Sequence, residues 1–275
     1  MNIKLSPDAI FPITVDEFGF PVKKNKTGLD IAGTIQGEGL LAGVPCLFIR
    51  LSGCNLRCSW TAPDGTVDIC DTPYASHNVT ETTTIGIDTV IEVVRRNIGT
   101  MRHVVISGGE PTLQPKALGE LCMRLSAMDL HITIETNGTM FSDDFAYDVN
   151  LFSISPKLES SNPQPFLGPV FSGHAKKRIN FESIRKYIKM HQYNPHKYDY
   201  QLKFVISKPE DVEEILGSHL MNLSVDPSKI FLMPLGSNPE VLAKTRLLTV
   251  KAAIENGWRY SPRLHVDIFG NVAGT

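Results

Sequence analysis

Short apolar runs alternate with longer amphipathic segments along the chain from Cys46 onward. The apolar runs are rich in β-branched and aromatic residues and are bounded by turn-forming residues, as expected of buried strands. We predict six strands of this kind and one last extended run. The strands are residues 46–52, 103–107, 131–135, 151–155, 200–207 and 229–235, and the last extended run is residues 263–269.

The longer segments predict helices, because their apolar residues recur at three- and four-residue spacing. Several of them open with Pro or with acidic residues, which favour the first helical turn. The predicted helices are residues 87–99, 117–128, 181–192, 209–221 and 239–257.

Strands that alternate with helices indicate an α/β fold with a parallel sheet. Apolar strands of this kind need cover on both faces, yet six strands are too few for a closed eight-stranded barrel. We therefore predict a partial, open (β/α)6 barrel of the TIM type. Residues 1–29 are predicted to be an irregular N-terminal extension, and residues 30–275 a single domain.

Composition and charge exclude several classes of protein. With 42% hydrophobic and 20% charged residues, the chain has the composition of an ordinary globular protein. A net charge of −2 provides no large basic field, so we expect no direct binding to nucleic acid. The sequence shows neither a signal-peptide pattern nor an apolar stretch of about 18 residues, so we expect a cytoplasmic protein without a membrane partner.

The five cysteines are an odd number and lie mostly in the first quarter of the chain, which favours reduced thiols over disulfides. Cys46, within a strand, and Cys122, on the apolar face of a helix, are predicted core residues. Cys54, Cys58 and Cys70 follow the first strand, with three and then eleven residues between them. Since active sites of α/β barrels form at the carboxyl ends of strands, these three thiols can share one centre.

Three thiolates at one centre favour an iron–sulfur cluster over a structural zinc site or three unrelated buried thiols. On a four-iron cluster they leave one iron without a protein ligand. A structural zinc site usually shows two cysteine pairs, and the chain has no second pair. Three unrelated buried thiols are the other alternative.

The cysteine loop, GCNLRCSW followed later by CDTPYA, resembles the radical S-adenosylmethionine (SAM) signature, whose cysteines are separated by three and two residues. Here nine extra residues, 61–69, lengthen the separation of the last two cysteines about fourfold, from 3 to 12 sequence positions, at a loop-closure cost of about 1.2 kcal/mol. Their Pro63, Asp64 and Gly65 predict a turn, so the insert is interpreted as a cover or spacer. The resemblance implies a [4Fe–4S] cluster on Cys54, Cys58 and Cys70, with SAM on the open iron as the source of a 5′-deoxyadenosyl radical.

The same resemblance implies the SAM-binding residues. The segment SGGEP (107–111) resembles the one that meets the methionyl amino group of SAM, and the ends of the fourth and sixth strands match positions near ribose and adenine. The implied cofactor residues are Ile69, Asp71, Gly108, Gly109, Glu110, Ser155, Pro156, Lys157, Met233, Pro234, Leu235 and Gly236.

Other motifs narrow the resemblance. TIQGEG (34–39), the arginine of FIRLSGCNLRC, CDTPYA and IETNG (134–138) together resemble the 7-carboxy-7-deazaguanine synthase family over most of residues 30–275. The resemblance implies conversion of 6-carboxy-5,6,7,8-tetrahydropterin to 7-carboxy-7-deazaguanine, with Mg²⁺, a flavodoxin-like reductant and a homodimer. The implied substrate residues are Ile35, Gln36, Gly37, Glu38, Arg50, Ser107, Glu135 and His265.

The residue types suit a pterin carboxylate. Gln36, Glu38 and Glu135 offer donors and acceptors for the ring edge, Arg50 offers a fork for the carboxylate, and the Thr72 hydroxyl suits Mg²⁺. The alternatives are that Gln36 and Glu38 cap a turn and that Arg50 belongs to a buried ion pair.

The remaining histidines are predicted to lie at strand edges or on the surface, and the terminal carboxylate is assigned no role; these residues are His103, His131, His174, His191 and Thr275. The rival functions are an activase that makes a glycyl radical on a partner protein, and a non-catalytic electron-transfer or zinc module. The polar TIQGEG segment favours a small heterocyclic substrate over the peptide loop that an activase would bind, and the three cysteine ligands with the SAM-type loops argue against the non-catalytic module.

Overall fold

The computed structural model describes the chain except for residues 23–25, 62–66, 77, 78, 80, 165, 166, 169–172, 271, 273 and 275, and the side chains at 8 and 68. The strands it describes are β1 (Asn2–Phe11), β2 (Thr34–Ile35), β3 (Pro45–Leu51), β4 (Ser59–Thr61), β5 (Val67–Ile69), β6 (Thr83–Gly86), β7 (His103–Gly108), β8 (His131–Thr136), β9 (Leu151–Ile154), β10 (Asp199–Ile206), β11 (Ile230–Pro234) and β12 (Arg259–Tyr260).

Helices connect most of these strands along the chain. They are α1 (Pro73–Ser76), α2 (Ile87–Asn97), α3 (Pro115–Ser126), α4 (Asp143–Ala146), α5 (His174–Lys177), α6 (Phe181–Tyr193), α7 (Glu210–Glu214), α8 (Leu220–Asn222), α9 (Pro239–Asn256) and α10 (Leu264–Phe269). A π-helical turn, Ile215–His219, joins α7 to α8. Each of the five predicted helices is therefore confirmed within a residue or two at its ends, apart from this turn.

The sheet confirms the predicted partial barrel. Strands β3, β7, β8, β9, β10 and β11 are parallel neighbours in that order, and the described sheet ends at β6 on one side and β12 on the other without closing. The strand β7 has its first five residues buried, and all of β9 and β11 is buried. Because these six strands are parallel, their carboxyl ends lie at the same edge of the sheet.

The N-terminal segment is more ordered than the sequence predicted. The expectation of irregular structure is wrong for β1, which pairs antiparallel with β3 and with β6. Ile3 and Leu5 are fully buried, and their two-residue spacing is the signal that the prediction missed. The strand extends the parallel sheet beyond β3 and covers an edge that would otherwise be open.

The last predicted strand is also wrong, since residues 264–269 form the helix α10. Only Val266 of this helix is buried, and Gly270 ends it with a φ of 73°. Apolar residues at two-residue spacing make a strand only where a neighbouring strand offers pairing. Here the short β12 forms the edge of the described sheet, and the chain after it turns back over the strand ends.

Two further expectations concern the core and the membrane. Cys46 and Cys122 are fully buried, as predicted for core residues. In the part of the chain that the structure describes, no helix has the length and apolar character needed to cross a membrane.

Candidate active site at the carboxyl ends of the strands

A cavity of about 330 Å³ lies at the carboxyl ends of the parallel strands, within the size range of ligand pockets. Its lining contains the three loop cysteines, Thr72 and every residue predicted for substrate or cofactor except Glu110 and Pro156. The structure thus brings together residues from positions 35 to 265, which are far apart in sequence. Their individual roles remain predictions.

The insert between the second and third loop cysteines forms a β-hairpin. Strands β4 and β5 pair antiparallel, and the Cys70 backbone N–H donates to the Cys58 carbonyl oxygen at 3.2 Å. The eleven-residue gap is therefore closed at its base, which places Cys70 directly beside Cys58. The predicted turn at Pro63, Asp64 and Gly65 lies outside the described residues, so the spacer role stays a prediction.

The hairpin base also builds an apolar wall beside the thiols. Trp60 is 8% exposed and packs with Leu56, Cys58 and Leu235. Leu235 follows β11 on the other side of the cavity. The wall therefore excludes water from one side of the cysteine loop.

Burial disfavours the deprotonated, thiolate form of the loop cysteines when no metal is bound to them. Burial, aided by the charge of Glu110, raises the pKa of Cys54 to about 12. Burial also raises the pKa of Cys58 far above its usual range, and the neighbouring Cys54 and Cys70 add to this while Lys157 opposes it. A cationic iron cluster would supply the charge that three adjacent thiolates need. The donor set and its surroundings fit such a cluster.

Gly109 and its neighbours join the end of β7 to the cysteine loop. A Cβ at Gly109 would overlap the carbonyl oxygens of Gly53 and Ala75. The Gly109 N–H donates to the Leu51 carbonyl at 3.1 Å, and the Glu110 N–H donates to the Gly53 carbonyl at 2.7 Å. The SGGEP segment therefore holds the cysteine loop as well as lining the cavity.

Glu110 was predicted to contact the cofactor, but its carboxylate lies outside the cavity lining. It is fully buried and accepts hydrogen bonds from Thr112 N, Thr112 Oγ1, Thr136 Oγ1 and Asn137 N at 2.6 to 3.1 Å. These bonds tie the end of β7 to the end of β8. Pro156 likewise does not line the cavity, although Ser155 and Lys157 on either side of it do.

A network of buried charges forms the opposite end of the cavity. Glu38 pairs with Lys203 and, at 2.9 Å, with Arg263 Nε, while Lys203 Nζ lies 3.7 Å from Glu135. Burial alone would raise the pKa of Glu38, but the charges of Lys203 and Arg263 hold it far below its usual range. Glu38 is therefore ionised and already paired before any ligand binds.

Gln36 takes part in both a turn and the cavity. Its Oε1 accepts from the Glu38 N–H at 3.2 Å, and its Nε2 donates to Glu135 Oε1 at 3.3 Å. The turn-capping alternative therefore holds for Gln36, whereas the Glu38 side chain forms no cap.

The guanidinium group of Arg50 lies over two aromatic rings. Its guanidinium carbon is 5.0 Å from the ring centroid of Phe11 and 5.9 Å from that of Tyr74. Its buried Nε has no hydrogen-bond partner among the described residues, and no ion pair of Arg50 is found there. The buried ion-pair alternative is therefore not supported, and the guanidinium can accept an anionic ligand.

Two histidines predicted at strand edges or on the surface are buried. His103 and His174 are each 2% exposed. His174 Nδ1 accepts from the Arg57 N–H at 3.2 Å, so this histidine supports the cysteine loop from behind. His265, in contrast, lines the cavity as predicted, and a Cβ at Gly37 would overlap its ring.

The Thr72 hydroxyl is a suitable oxygen ligand for the predicted Mg²⁺, and its role stays a prediction. Thr72 Oγ1 lies 3.5 Å from Cys70 Sγ and 3.4 Å from Asp71 Oδ1, so neither contact is a strong hydrogen bond. The hydroxyl also lines the cavity. Thr275 lies outside the described residues.

Sequence reasoning missed several residues of the cavity, chiefly Lys203 and Arg263. A lysine within the otherwise apolar run of β10 was the available signal, because lysine is almost never fully buried unless it is paired. Phe11 was also missed, because it belongs to β1 and the sequence prediction treated that segment as irregular. Arg263 gave no local signal, since its partners are distant in sequence.

The fold and the thiol-lined cavity define a class of protein that comparison with known proteins also supports. Residues 48–194 match the model of the radical SAM superfamily. Among curated proteins, the 7-carboxy-7-deazaguanine synthase of Halobacterium salinarum is 36% identical over 88% of this chain and 90% of its own length. That of Rhodopirellula baltica is 34% identical over 87% and 85%. The chain belongs to the 7-carboxy-7-deazaguanine synthase family of the radical SAM superfamily.

A solved structure agrees on the fold. The crystal structure of QueE from Escherichia coli superimposes with a TM-score of 0.58 at 23% identity, covering 92% of this chain and 93% of that one. Membership of the radical SAM superfamily makes the protein an enzyme that uses a [4Fe–4S] cluster and SAM. The similarity to curated 7-carboxy-7-deazaguanine synthases favours the synthase over the activase and over a zinc or electron-transfer module.

Proposed function

We propose that this protein converts 6-carboxy-5,6,7,8-tetrahydropterin into 7-carboxy-7-deazaguanine and ammonia. The observation that carries the proposal is the Arg50 guanidinium, whose buried Nε has no hydrogen-bond partner among the described residues and which lines one cavity with the three loop thiols and several charged side chains. Product and ammonia together contain every atom of the substrate. Turnover therefore consumes no external oxidant.

The cluster end of the cavity suits SAM. Cys54, Cys58 and Cys70 would hold the cluster, and the backbone at Gly109, with Ser155 and Lys157 after β9, would hold SAM. When bound, the two cofactors supply the 5′-deoxyadenosyl radical that abstracts hydrogen from the substrate. The residues around them exclude water, chiefly through the Trp60 wall.

The charged end suits the pterin. Arg50 would bind the substrate carboxylate through its fork, with the ring of Phe11 below it. Glu38 is occupied by Lys203 and Arg263, whereas Glu135, among the described residues, accepts only from Gln36 at 3.3 Å and meets Lys203 at 3.7 Å. Glu135 is therefore the better acceptor for the N–H groups of the pterin edge.

Thr72 completes the proposal for the metal. Thr72 lines the cavity two residues after the third cysteine, and its hydroxyl would be a ligand for Mg²⁺, which prefers oxygen ligands. The flavodoxin-like reductant, the homodimer and the cytoplasmic location are further parts of the proposal. All five cysteines are free, which is compatible with a reducing compartment.

The test is an anaerobic turnover assay with the carboxytetrahydropterin, SAM, Mg²⁺ and dithionite. We expect 7-carboxy-7-deazaguanine from the parent and an increase in KM of about tenfold for Arg50→Lys, which keeps the charge but loses the fork. The matched control is Arg246→Lys, because Arg246 forms an exposed ion pair with Asp267.

Reconstituted parent that cleaves SAM but forms no product from this pterin would overturn the proposal. An unchanged KM in Arg50→Lys, with product still formed, would remove Arg50 from carboxylate binding.

A further inference from the structure

One arginine outside the predicted set connects the two ends of the cavity. Arg263 is 9% exposed, and all three edges of its guanidinium are in use. Nε donates to Glu38 Oε1 at 2.9 Å, Nη2 donates to Asp71 Oδ2 at 2.7 Å, and Nη1 donates to the Gly236 carbonyl. Glu38 belongs to the charged end, and Asp71 directly follows the third loop cysteine.

Asp71 depends on this arginine more than on any other described group. Its other hydrogen bond among the described residues is the 3.4 Å contact from Thr72 Oγ1. Without Arg263, the carboxylates of Asp71 and Glu38 would repel each other across the cavity.

We propose that Arg263 is a positioning residue that fixes the end of the cysteine loop relative to the substrate end of the cavity. Arg263 acts through Asp71 on the neighbouring Cys70 and Thr72. This proposal rests on the function proposed above. The same residue immediately precedes α10, the helix that carries His265.

The geometry requires arginine. Its three acceptors belong to three separate segments, and a planar fork can meet all of them at once. A lysine at this position would offer one nitrogen, and Glu38 already has Lys203 as a partner. Arg263→Lys should therefore keep the charge but lose the hold on Asp71.

The main measurement is hydrogen exchange of the reconstituted enzyme, which does not depend on turnover. In Arg263→Gln and in Arg263→Lys we expect backbone amides of residues 70–76 to exchange about tenfold faster, with β8 unchanged. Asp71→Asn should reproduce the effect, and the double variant Arg263→Gln/Asp71→Asn should add little. Arg246→Gln, which breaks the exposed pair with Asp267 on α10, should leave exchange at 70–76 and turnover unchanged.

The second measurement is the ratio of 5′-deoxyadenosine to 7-carboxy-7-deazaguanine, together with iron content. A misplaced cysteine loop should raise the ratio while the iron content stays near that of the parent. Should the parent make no product from the pterin, the proposed function fails, but the exchange data still decide the role of Arg263.

Two results would overturn the proposal. One is unchanged exchange at residues 70–76 in Arg263→Gln, or an equal rise there and in β8, which would mean a general structural role. The other is an Asp71→Asn effect that adds in full to that of Arg263→Gln. If Arg263→Gln does not fold, Asp71→Asn alone decides, and normal exchange in it would count against the proposal.

Discussion

Replacing Lys203 with methionine tests whether the charged end of the cavity is a paired network. Lys203 is 5% exposed, and its ammonium group meets Glu38 and, at 3.7 Å, Glu135. Methionine keeps most of the apolar stem but removes the charge, so Glu38 and Glu135 lose a shared partner. Breaking a buried ion pair in this way costs roughly 3 to 5 kcal/mol. Because Glu38 keeps Arg263 at 2.9 Å, we expect a loss of about 3 kcal/mol.

The assay is urea unfolding of the reduced apoprotein at pH 7, because cluster loss would otherwise complicate the transition. Removing both charges with Glu38→Gln/Lys203→Met should recover part of the loss, since the carboxylate that loses Lys203 is then removed as well, while Arg263 keeps Asp71. Lys186→Met is the matched control. Lys186 pairs with Glu182 at 3.7 Å on the surface of α6, and exposed pairs of this kind contribute little.

The loss should depend on pH in a defined direction. The pKa of Glu38 is lowered from 4.5, so its pairing stabilises the parent fully above that pH and progressively less as pH falls below it. The variant lacks most of this contribution, so the difference between parent and variant should shrink on acidification. A Lys203→Met variant no less stable than Lys186→Met at pH 7, or a difference that grows toward low pH, would refute the reasoning.

Three further results are expected. Alanine in place of any of the three loop cysteines should abolish bound iron and SAM cleavage, whereas Cys122→Ala should keep both; full iron content in a loop variant would point to another ligand. Thr72→Ala should weaken the dependence of turnover on Mg²⁺ without loss of iron, and identical Mg²⁺ titrations would exclude Thr72 from the metal site. Trp60→Ala should raise the ratio of 5′-deoxyadenosine to product and destabilise the protein by about 3 kcal/mol, because it opens the apolar wall; an unchanged ratio would limit Trp60 to packing.

Much of this protein follows from local sequence pattern. The six parallel strands and the main helices were predictable because hydrophobic periodicity is a property of neighbouring residues. The cysteine loop was predictable for the same reason, since Cys54, Cys58 and Cys70 all follow one strand. The motif resemblance then indicated the family, which the comparisons confirmed.

Some local signals were present but misjudged. The two-residue spacing of Ile3 and Leu5 predicts a strand, although the prediction treated the segment as irregular. The run at 263–269 has strand-like composition but forms α10, because pairing depends on a neighbouring strand and not on composition alone.

The partners of charged residues were decided only by the tertiary structure. Nothing near Arg263 in sequence indicates Asp71 or Glu38, and nothing near Lys203 indicates Glu135. A buried charge needs an opposite charge within a few ångströms, whatever its distance along the chain. The cavity wall is another case, since Trp60 meets Leu235 only because the hairpin folds over the strand ends. The sequence by itself thus determined most of the secondary structure, the cysteine loop and the family, while the pairing of charges across the cavity depends on segments that only the tertiary fold brings together, which no local pattern encodes.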